Sequence, residues 1–293
     1  MDSEVISGGD KVGGISGSMR ENSDGGVNNS FVRNCKIEGN SQVGGIIGTV
    51  EKISKNNLLN NYVSAQITAF GSNAGGIVGE LNNQGMTSVN NTSQIRKDYV
   101  VNSKIEAKKN VGGIIGNIAE DLYTERKYYY QDYVEVELES EDPNTVSLGI
   151  GGKQDQNSAL VDCYYYQYSK INGENPNEHN ELFIMEDQYL KEEDLKIQNT
   201  YTGKLKWSTS EFDFSVLSDN KYPIIKNIEG QEGIPLPIDS EHVVTEENGG
   251  ISTLDEQENT TQKLKNETLQ ETFEYEGKKI ETYETYTKIT LED

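Results

Sequence analysis

The chain has few of the residue types on which catalytic and metal centres depend. Its 293 residues include two histidines, two cysteines and one tryptophan. Cys35 and Cys163 are far apart and form neither a CxxC pair nor a zinc-ligand pattern, so we expect no disulfide framework. His179 lacks the second histidine that a zinc peptidase helix carries one turn later. We therefore predict no catalytic residues, no metal site and no cofactor.

Positive charge and long apolar runs are also scarce. Lys and Arg number 26 against 49 Asp and Glu, which gives a formal net charge of -23. Such a polyanion repels nucleic acids, so we expect no nucleic-acid partner. No apolar stretch approaches about 18 residues, and the N-terminal residues do not resemble a secretion signal. We expect no membrane insertion in this chain, and a signal and an anchor outside it.

Glycine and tyrosine are abundant instead, with 29 and 17 residues. The glycines follow a pattern, Val/Ala-Gly-Gly-Ile-x-Gly, whose four copies begin at residues 12, 43, 74 and 111. Linkers do not carry apolar residues in such a fixed register. The repeated glycines are Gly13, Gly14, Gly17, Gly44, Gly45, Gly48, Gly75, Gly76, Gly79, Gly112, Gly113 and Gly116.

Each copy of the pattern has short β-branched segments bounded by Asn, Gly and Ser, which predicts short strands joined by turns. One copy cannot bury its own apolar face, but stacked copies can, so the sequence predicts an all-β, repetitive β-solenoid. Glycine pairs suit either the close approach of neighbouring copies or a positive φ. Cys35 and Ser103 occupy equivalent positions, which predicts a small inward slot and a buried, inert thiol at Cys35. Residues 148–152 are a degraded fifth copy.

The glycine tetrads, such as Gly45-Ile46-Ile47-Gly48, resemble the GLUG-repeat family. A second likeness lies downstream, where a helical turn over 190–195 is followed by Trp207, by Phe212-Asp213-Phe214-Ser215 and by the 221–226 segment, as at the end of GLUG arrays. Phe212 stands where that family usually has Trp. The resemblance implies a Gram-positive, extracellular protein of the bacterial cell surface. It is similar to the non-catalytic N-terminal region of streptococcal IgA1-type zinc metalloproteases, whose His-Glu-x-x-His motif has no match in this chain.

Changes in composition divide the chain into four predicted parts. Residues 1–170 form the solenoid and 171–228 a closing or capping segment. Residues 229–262 are acidic and proline-bearing, which predicts a linker. Residues 263–293 are a β-rich tail, which either docks on the solenoid or begins a truncated domain. Within it, 263–272 could form a short amphipathic helix before a hairpin turn at Gly277.

Two tyrosine clusters lie in and after long insertions between repeats. Their rings either stack on a sugar or protein partner or cap the end of the repeat array. The candidate partner-binding residues are Tyr123, Tyr128, Tyr129, Tyr130, Tyr164, Tyr165 and Tyr166.

We therefore expect a non-catalytic structural or adhesive module, monomeric within a larger protein, that acts as a rigid spacer and binds a host protein or glycan. Two alternatives stay open. One is an accessory, substrate-engaging region of an IgA1-type zinc metalloprotease whose catalytic domain is absent here. The other is a β-helical carbohydrate-active enzyme, which would use paired carboxylates such as those at 120–121 or 139–142.

Overall fold

The computed structural model describes six repeats, a following segment and a small C-terminal set of strands. The repeats are residues 3–20, 26–51, 57–82, 94–119, 129–152 and 160–175, numbered 1 to 6 here. Residues 189–237, which we call the lateral segment, come next. Residues 1–237 form one compact unit and 238–293 a second. The fold class is all-β, as predicted.

Three parallel sheets join the described repeats. Sheet A contains strands from repeats 1 to 6, sheet B from repeats 1 to 4 and sheet C from repeats 2 to 6. Sheet A contains Ser3–Ile6, Val12–Gly13, Phe31–Gly39, Val43–Gly44, Tyr62–Gly75, Tyr99–Gly112, Tyr133–Ser140, Val146–Ser147, Tyr164–Tyr166, Lys170–Ile171 and Tyr189–Leu190. Sheet B contains Ser16–Met19, Ile47–Glu51, Val78–Asn82 and Ile115–Ala119. Sheet C contains Val27–Asn28, Asn57–Leu59, Gln94–Arg96, Tyr129–Tyr130 and Leu160–Val161.

Strand register places equivalent residues of successive repeats beside one another. One apolar row in sheet A illustrates this, because each member pairs with the next along the array. Its four central members are fully buried, and such stacking gives each repeat the apolar partner that it cannot supply itself. The row consists of Val5, Ile37, Ile67, Ile105, Leu138 and Ile171.

The glycine motif forms the corner at which the chain passes from sheet A to sheet B. Val43–Gly44 belongs to sheet A and Ile47–Glu51 to sheet B, with a bend between them. In a straight strand, adjacent residues point to opposite faces. The bend explains why the adjacent residues Ile46 and Ile47 are both buried. A Cβ atom on Gly45 would overlap the carbonyl oxygen of Gly76 in the next repeat. The glycines therefore permit close approach of repeats, the first of the two roles predicted for them.

Positive φ values occur instead at polar residues. Asn29, Asn60, Lys97, Gln131 and Asp162 take this conformation between sheets C and A. Asparagine tolerates the left-handed region because its short side chain bonds locally. None of the motif glycines within the described repeats has a positive φ.

Repeat 5 contains the degraded fifth copy of the motif. Val146 pairs with Val111 and Ser147 with Gly112, while Ile150 bridges to Ile115. The aligned copy is therefore residues 146–151, with Ser147 and Leu148 in place of the glycine pair.

The lateral segment is built of short elements. Its helical turn, Glu192–Leu195, lies within the predicted range of 190–195. A π-helical turn at Thr200–Lys204, a 3-10 turn at Ser215–Asp219 and the antiparallel pair Phe212–Asp213 with Ile224–Ile225 follow. A further 3-10 turn, Pro143–Thr145, lies in repeat 5. Residues 229–237, which the composition assigns to a linker, pack here through buried Ile234 and Leu236.

The second unit contains two antiparallel sheets. Val244–Glu247 pairs with Gly250–Thr253, inside the predicted linker. Leu269–Tyr275, Lys278–Tyr283 and Thr287–Leu291 form the other sheet. The strand at Leu269–Tyr275 contradicts the helix expected over 263–272, of which 263–268 lie outside the described residues. The hairpin expected around Gly277 joins strands that do pair antiparallel.

Candidate functional site

An aromatic row on sheet A is the most distinctive side-chain arrangement of the repeats. Phe31, Tyr62, Tyr99, Tyr133 and Tyr164 are in-register neighbours in successive repeats. The rings of Phe31 and Tyr62 stack at 5.1 Å between centroids, and those of Tyr62 and Tyr99 at 5.0 Å. The following residue of each repeat, Val or Tyr, points to the opposite face of the sheet and joins the interior core.

The lateral segment covers this row. Trp207 lies 5.2 Å from Tyr99 between ring centroids, and its indole N–H donates to the carbonyl oxygen of Gln131 at 2.8 Å. Tyr222 packs against Tyr133 at 5.7 Å. Together the segment and the row form a second hydrophobic cluster, separate from the interior core. The segment therefore packs along the side of the repeats.

A half-buried acid, Glu135, links the two layers. The Tyr222 hydroxyl donates to Glu135 Oε2 at 2.8 Å and lies 3.1 Å from the Tyr133 hydroxyl. Burial raises the pKa of Glu135 to about 7, although the Tyr222 hydrogen bond opposes the shift. At the exposed end of the interface, Arg33 forms an ion pair of 2.8 Å with Glu232.

A second row, of polar side chains, lies one residue before the aromatic row. Its three central members each accept a hydrogen bond from the backbone N–H of the equivalent residue in the preceding repeat. The bonds run from Ser30 N to Asn61 Oδ1 (3.0 Å), from Asn61 N to Asp98 Oδ1 (2.6 Å) and from Asp98 N to Asp132 Oδ1 (2.9 Å). Cys163 continues the row, with its thiol 3.9 Å from Asp132 Oδ2. We call Ser30, Asn61, Asp98, Asp132 and Cys163 the polar row.

Burial dominates the electrostatics of the polar row. Asp98 and Asp132 are 0% and 1% exposed. Burial raises the pKa of Asp98 to about 8, against the hydrogen bonds from Asn61. The pKa of Asp132 is also raised, first by burial and then by the neighbouring Asp98 charge. Burial likewise raises the pKa of the Cys163 thiol. The two aspartates of the row are thus interior acids with almost no solvent contact.

The candidate partner-binding tyrosines are distributed differently. Tyr164 is half-buried, while Tyr165 lies in the interior core and Tyr166 against the lateral segment, each 4% exposed. These two rings therefore offer no free face to a partner. Tyr129 and Tyr130 form a strand of sheet C, paired with Ile95–Arg96 and Leu160–Val161. Tyr123 and Tyr128 lie outside the described residues.

The carboxylates considered for an enzyme do not converge where they are described. Glu139 forms an ion pair with Lys104 at 2.9 Å on the exposed face of sheet A, while residues 120–121 lie outside the described part. Among the described residues, no three His, Cys, Asp or Glu side chains form a group that could hold a metal ion. Cys35 is buried and free, and the slot that it shares with Ser103 also contains Ala65.

A second repeated motif in the sequence, less regular than the glycine pattern, predicts both the polar row and the aromatic row. The tetrapeptides Asn29-Ser30-Phe31-Val32, Asn60-Asn61-Tyr62-Val63, Lys97-Asp98-Tyr99-Val100 and Gln131-Asp132-Tyr133-Val134 form a second repeated motif. Its four positions are the left-handed turn residue, the polar row, the aromatic row and the interior core.

Comparison with known proteins yields no relative: the chain matches no family model, no curated protein and no solved structure. In the described part of the chain, no helix is both long and apolar enough to span a membrane.

Proposed function

We propose that repeats 1 to 6 form a β-solenoid and that this solenoid serves as a rigid, non-catalytic structural module of the GLUG-repeat kind. The observation that carries the proposal is the parallel register of sheet A, which joins the same repeat position across six successive repeats. A chain that returns to the same position after each repeat winds around a common core, which is the geometry of a solenoid.

The lateral segment supports a rigid role. Its residues contact repeats 2 to 6 through Glu232, Trp207, Tyr222 and neighbours, so that bending between these repeats would break side-chain contacts on one face. Strands of a parallel sheet lie about 4.8 Å apart, and five steps between six repeats therefore give an axis of roughly 25 Å. The module would hold its neighbours at a short, fixed separation.

We place the module outside the cell, on a bacterial surface, as a monomeric part of a larger protein. A host protein or glycan is its proposed partner. The exposed face of sheet A supplies a polar surface for such contacts, with Lys36, Lys104, Glu106 and Glu139 along it.

Force spectroscopy on the full chain tests the structural role. We expect repeats 1 to 6 to resist extension until cooperative rupture, and to release contour length in multiples of one repeat, about 31 to 37 residues at roughly 3.5 Å each. Smooth extension at low force would contradict the proposal. Glycan arrays and an immunoglobulin panel, with the same chain, distinguish a binding module from a spacer alone.

A further inference from the structure

The polar row changes its chemistry along the array while its backbone geometry stays the same. Ser30 and Asn61 are neutral, whereas the next two positions carry Asp98 and Asp132. The Oδ1 atoms of Asn61, Asp98 and Asp132 each receive a backbone N–H. Asn61 Nδ2 additionally donates to Val27 O at 2.8 Å and to Asp98 Oδ1 at 2.9 Å. The hydrogen bonds therefore require an acceptor at positions 98 and 132, but they do not require a negative charge.

The surroundings of the two aspartates supply little charge compensation. Asp98 Oδ2 is buried and has no hydrogen-bond partner. Lys97, the residue before Asp98, forms an ion pair with Glu211 of the lateral segment. Arg96, which ends a strand of sheet C, lies one residue before Lys97. The Arg96 charge lowers the pKa of Asp132, but burial outweighs this effect.

On the side of repeat 6, Asp132 meets the thiol of Cys163, and the neighbouring Asp162 is a further acid. On the side of repeat 3, Asp98 meets the side-chain amide of Asn61. The Arg96 guanidinium thus acts on Asp132 alone of the two adjacent interior carboxylates. Ionising both would leave uncompensated charge in the protein interior.

We propose that the stacked carboxyl groups of Asp98 and Asp132 hold protons in the folded protein at neutral pH, and that this pair makes the repeat array a pH-responsive element. The free energy of unfolding of the array is higher in mildly acidic solution and falls as the solution becomes alkaline. The inference rests on the row's burial and hydrogen bonds and is independent of the proposed spacer role.

The direction follows from linkage. In the unfolded chain an aspartate has a pKa near 3.9, below its value in the folded protein. The stabilisation from the folded-state proton is therefore complete below about pH 4 and is lost as the pH rises towards the folded-state value, near 8 for Asp98. Across that window each group lowers the folding equilibrium constant by up to about tenfold per pH unit.

The experiment compares urea unfolding of the full chain between pH 5 and pH 9 with that of Asp98→Asn. Asparagine keeps the acceptor for Asn61 and already fills this position in repeat 3, so the variant should fold. We expect its folding constant to fall less steeply with pH than that of the unmodified chain, by up to about tenfold per unit. Asn61→Asp, which adds a third carboxyl to the row, should steepen the fall.

Glu193→Gln, whose side chain is 75% exposed, is the matched control and should leave the pH slope unchanged. An Asp98→Asn slope equal to that of the unmodified chain would overturn the proposal.

Carbon-13 NMR of the aspartate carboxyls in the unmodified protein gives a second test that needs no variant. We expect the Asp98 signal to titrate near pH 8, and the Asp132 signal to titrate at a higher pH than the signals of exposed aspartates. Titration of every aspartate below pH 5 would overturn the proposal even if the variants failed to fold.

Discussion

The hydroxyl of Tyr99 donates a hydrogen bond of 2.7 Å to the carbonyl oxygen of Pro223, 124 residues later in the chain. Tyr99 belongs to the aromatic row of repeat 4, and Pro223 to the lateral segment. The bond satisfies a phenol that would otherwise be buried without a partner. It therefore fixes where the segment lies along the row as well as helping to hold it there.

Removing the indole of Trp207 tests the contribution of the lateral segment to stability. Trp207 is fully buried between Tyr99, Tyr201 and Phe212, so Trp207→Ala should lower the free energy of unfolding by about 3 to 5 kcal/mol. Tyr99→Phe keeps the ring and loses only the hydrogen bond, and should cost about 1 kcal/mol. Urea denaturation measures both. Phe70→Ala, at a side chain 55% exposed, is the control, and equal losses in Trp207→Ala and Phe70→Ala would refute this account.

A methyl group at Gly45 tests the close approach of repeats. Its Cβ would meet the carbonyl oxygen of Gly76 and the side chain of Val63, both in the next repeat, and backbone cannot move away cheaply. We expect Gly45→Ala to lower the free energy of unfolding by at least about 2 kcal/mol. Gly8→Ala, where nothing lies within 4 Å, should change it by less than about 0.5 kcal/mol. Thermal melts of the two variants check the contrast, and a stable Gly45→Ala protein would contradict it.

Glu135→Gln tests the half-buried acid between the aromatic row and the lateral segment. The pKa of Glu135 is about 7 in the folded protein and near 4.3 when unfolded, so its stabilisation is present below about pH 4 and is lost as the pH rises through 7. Glutamine carries no charge, and we expect the variant to exceed the unmodified chain in free energy of unfolding by roughly 3 to 4 kcal/mol at pH 8 and by about 1 kcal/mol at pH 5. The control is Glu137→Gln, an exposed acid on the same strand. A stability difference that does not change with pH would rule the explanation out.

Thiol labelling tests how well the interior of the repeats excludes reagents from solution. Cys35 and Cys163 are both buried thiols outside any disulfide, and burial raises both thiol pKa values. Since the thiolate is the reactive form, we expect maleimide to label the native protein at least about 100 times more slowly than the urea-unfolded chain. Mass spectrometry should find Cys163, 2% exposed, labelled more slowly than Cys35 at 8%. Rapid labelling of Cys163 in native protein would show that repeat 6 opens readily.

The sequence alone predicted the part of the fold that depends on contacts between neighbouring repeats. The Val-Gly-Gly-Ile pattern located the strands, the close approach of repeats and the buried slot at Cys35, because each copy meets the same copy beside it. It did not predict the corner within the motif, since a bend and a strand buried on both faces give the same apolar pattern.

The packing of the lateral segment could not be predicted in this way. Tyr133 meets Tyr222 across 89 residues, and nothing periodic connects the two positions. The composition also ends the segment at residue 228, before Ile234 and Leu236, because these two residues lie among prolines and acids that favour a linker. The polar row does have a sequence signal, because Asp98 and Asp132 precede Tyr-Val as Asn61 does. In so acidic a chain, two aspartates alone do not distinguish a buried row from solvated surface charge.

The long separation of the aromatic row from its cover also has a consequence for folding order. Chains are synthesised at about 5 to 20 residues per second, so Pro223 emerges roughly 6 to 25 s after Tyr99. Pairing between adjacent repeats is comparatively local, whereas docking of the lateral segment closes much larger loops. A growing chain therefore presents a column of uncovered rings for many seconds, and this column is the surface that a chaperone or another unfinished copy would meet first.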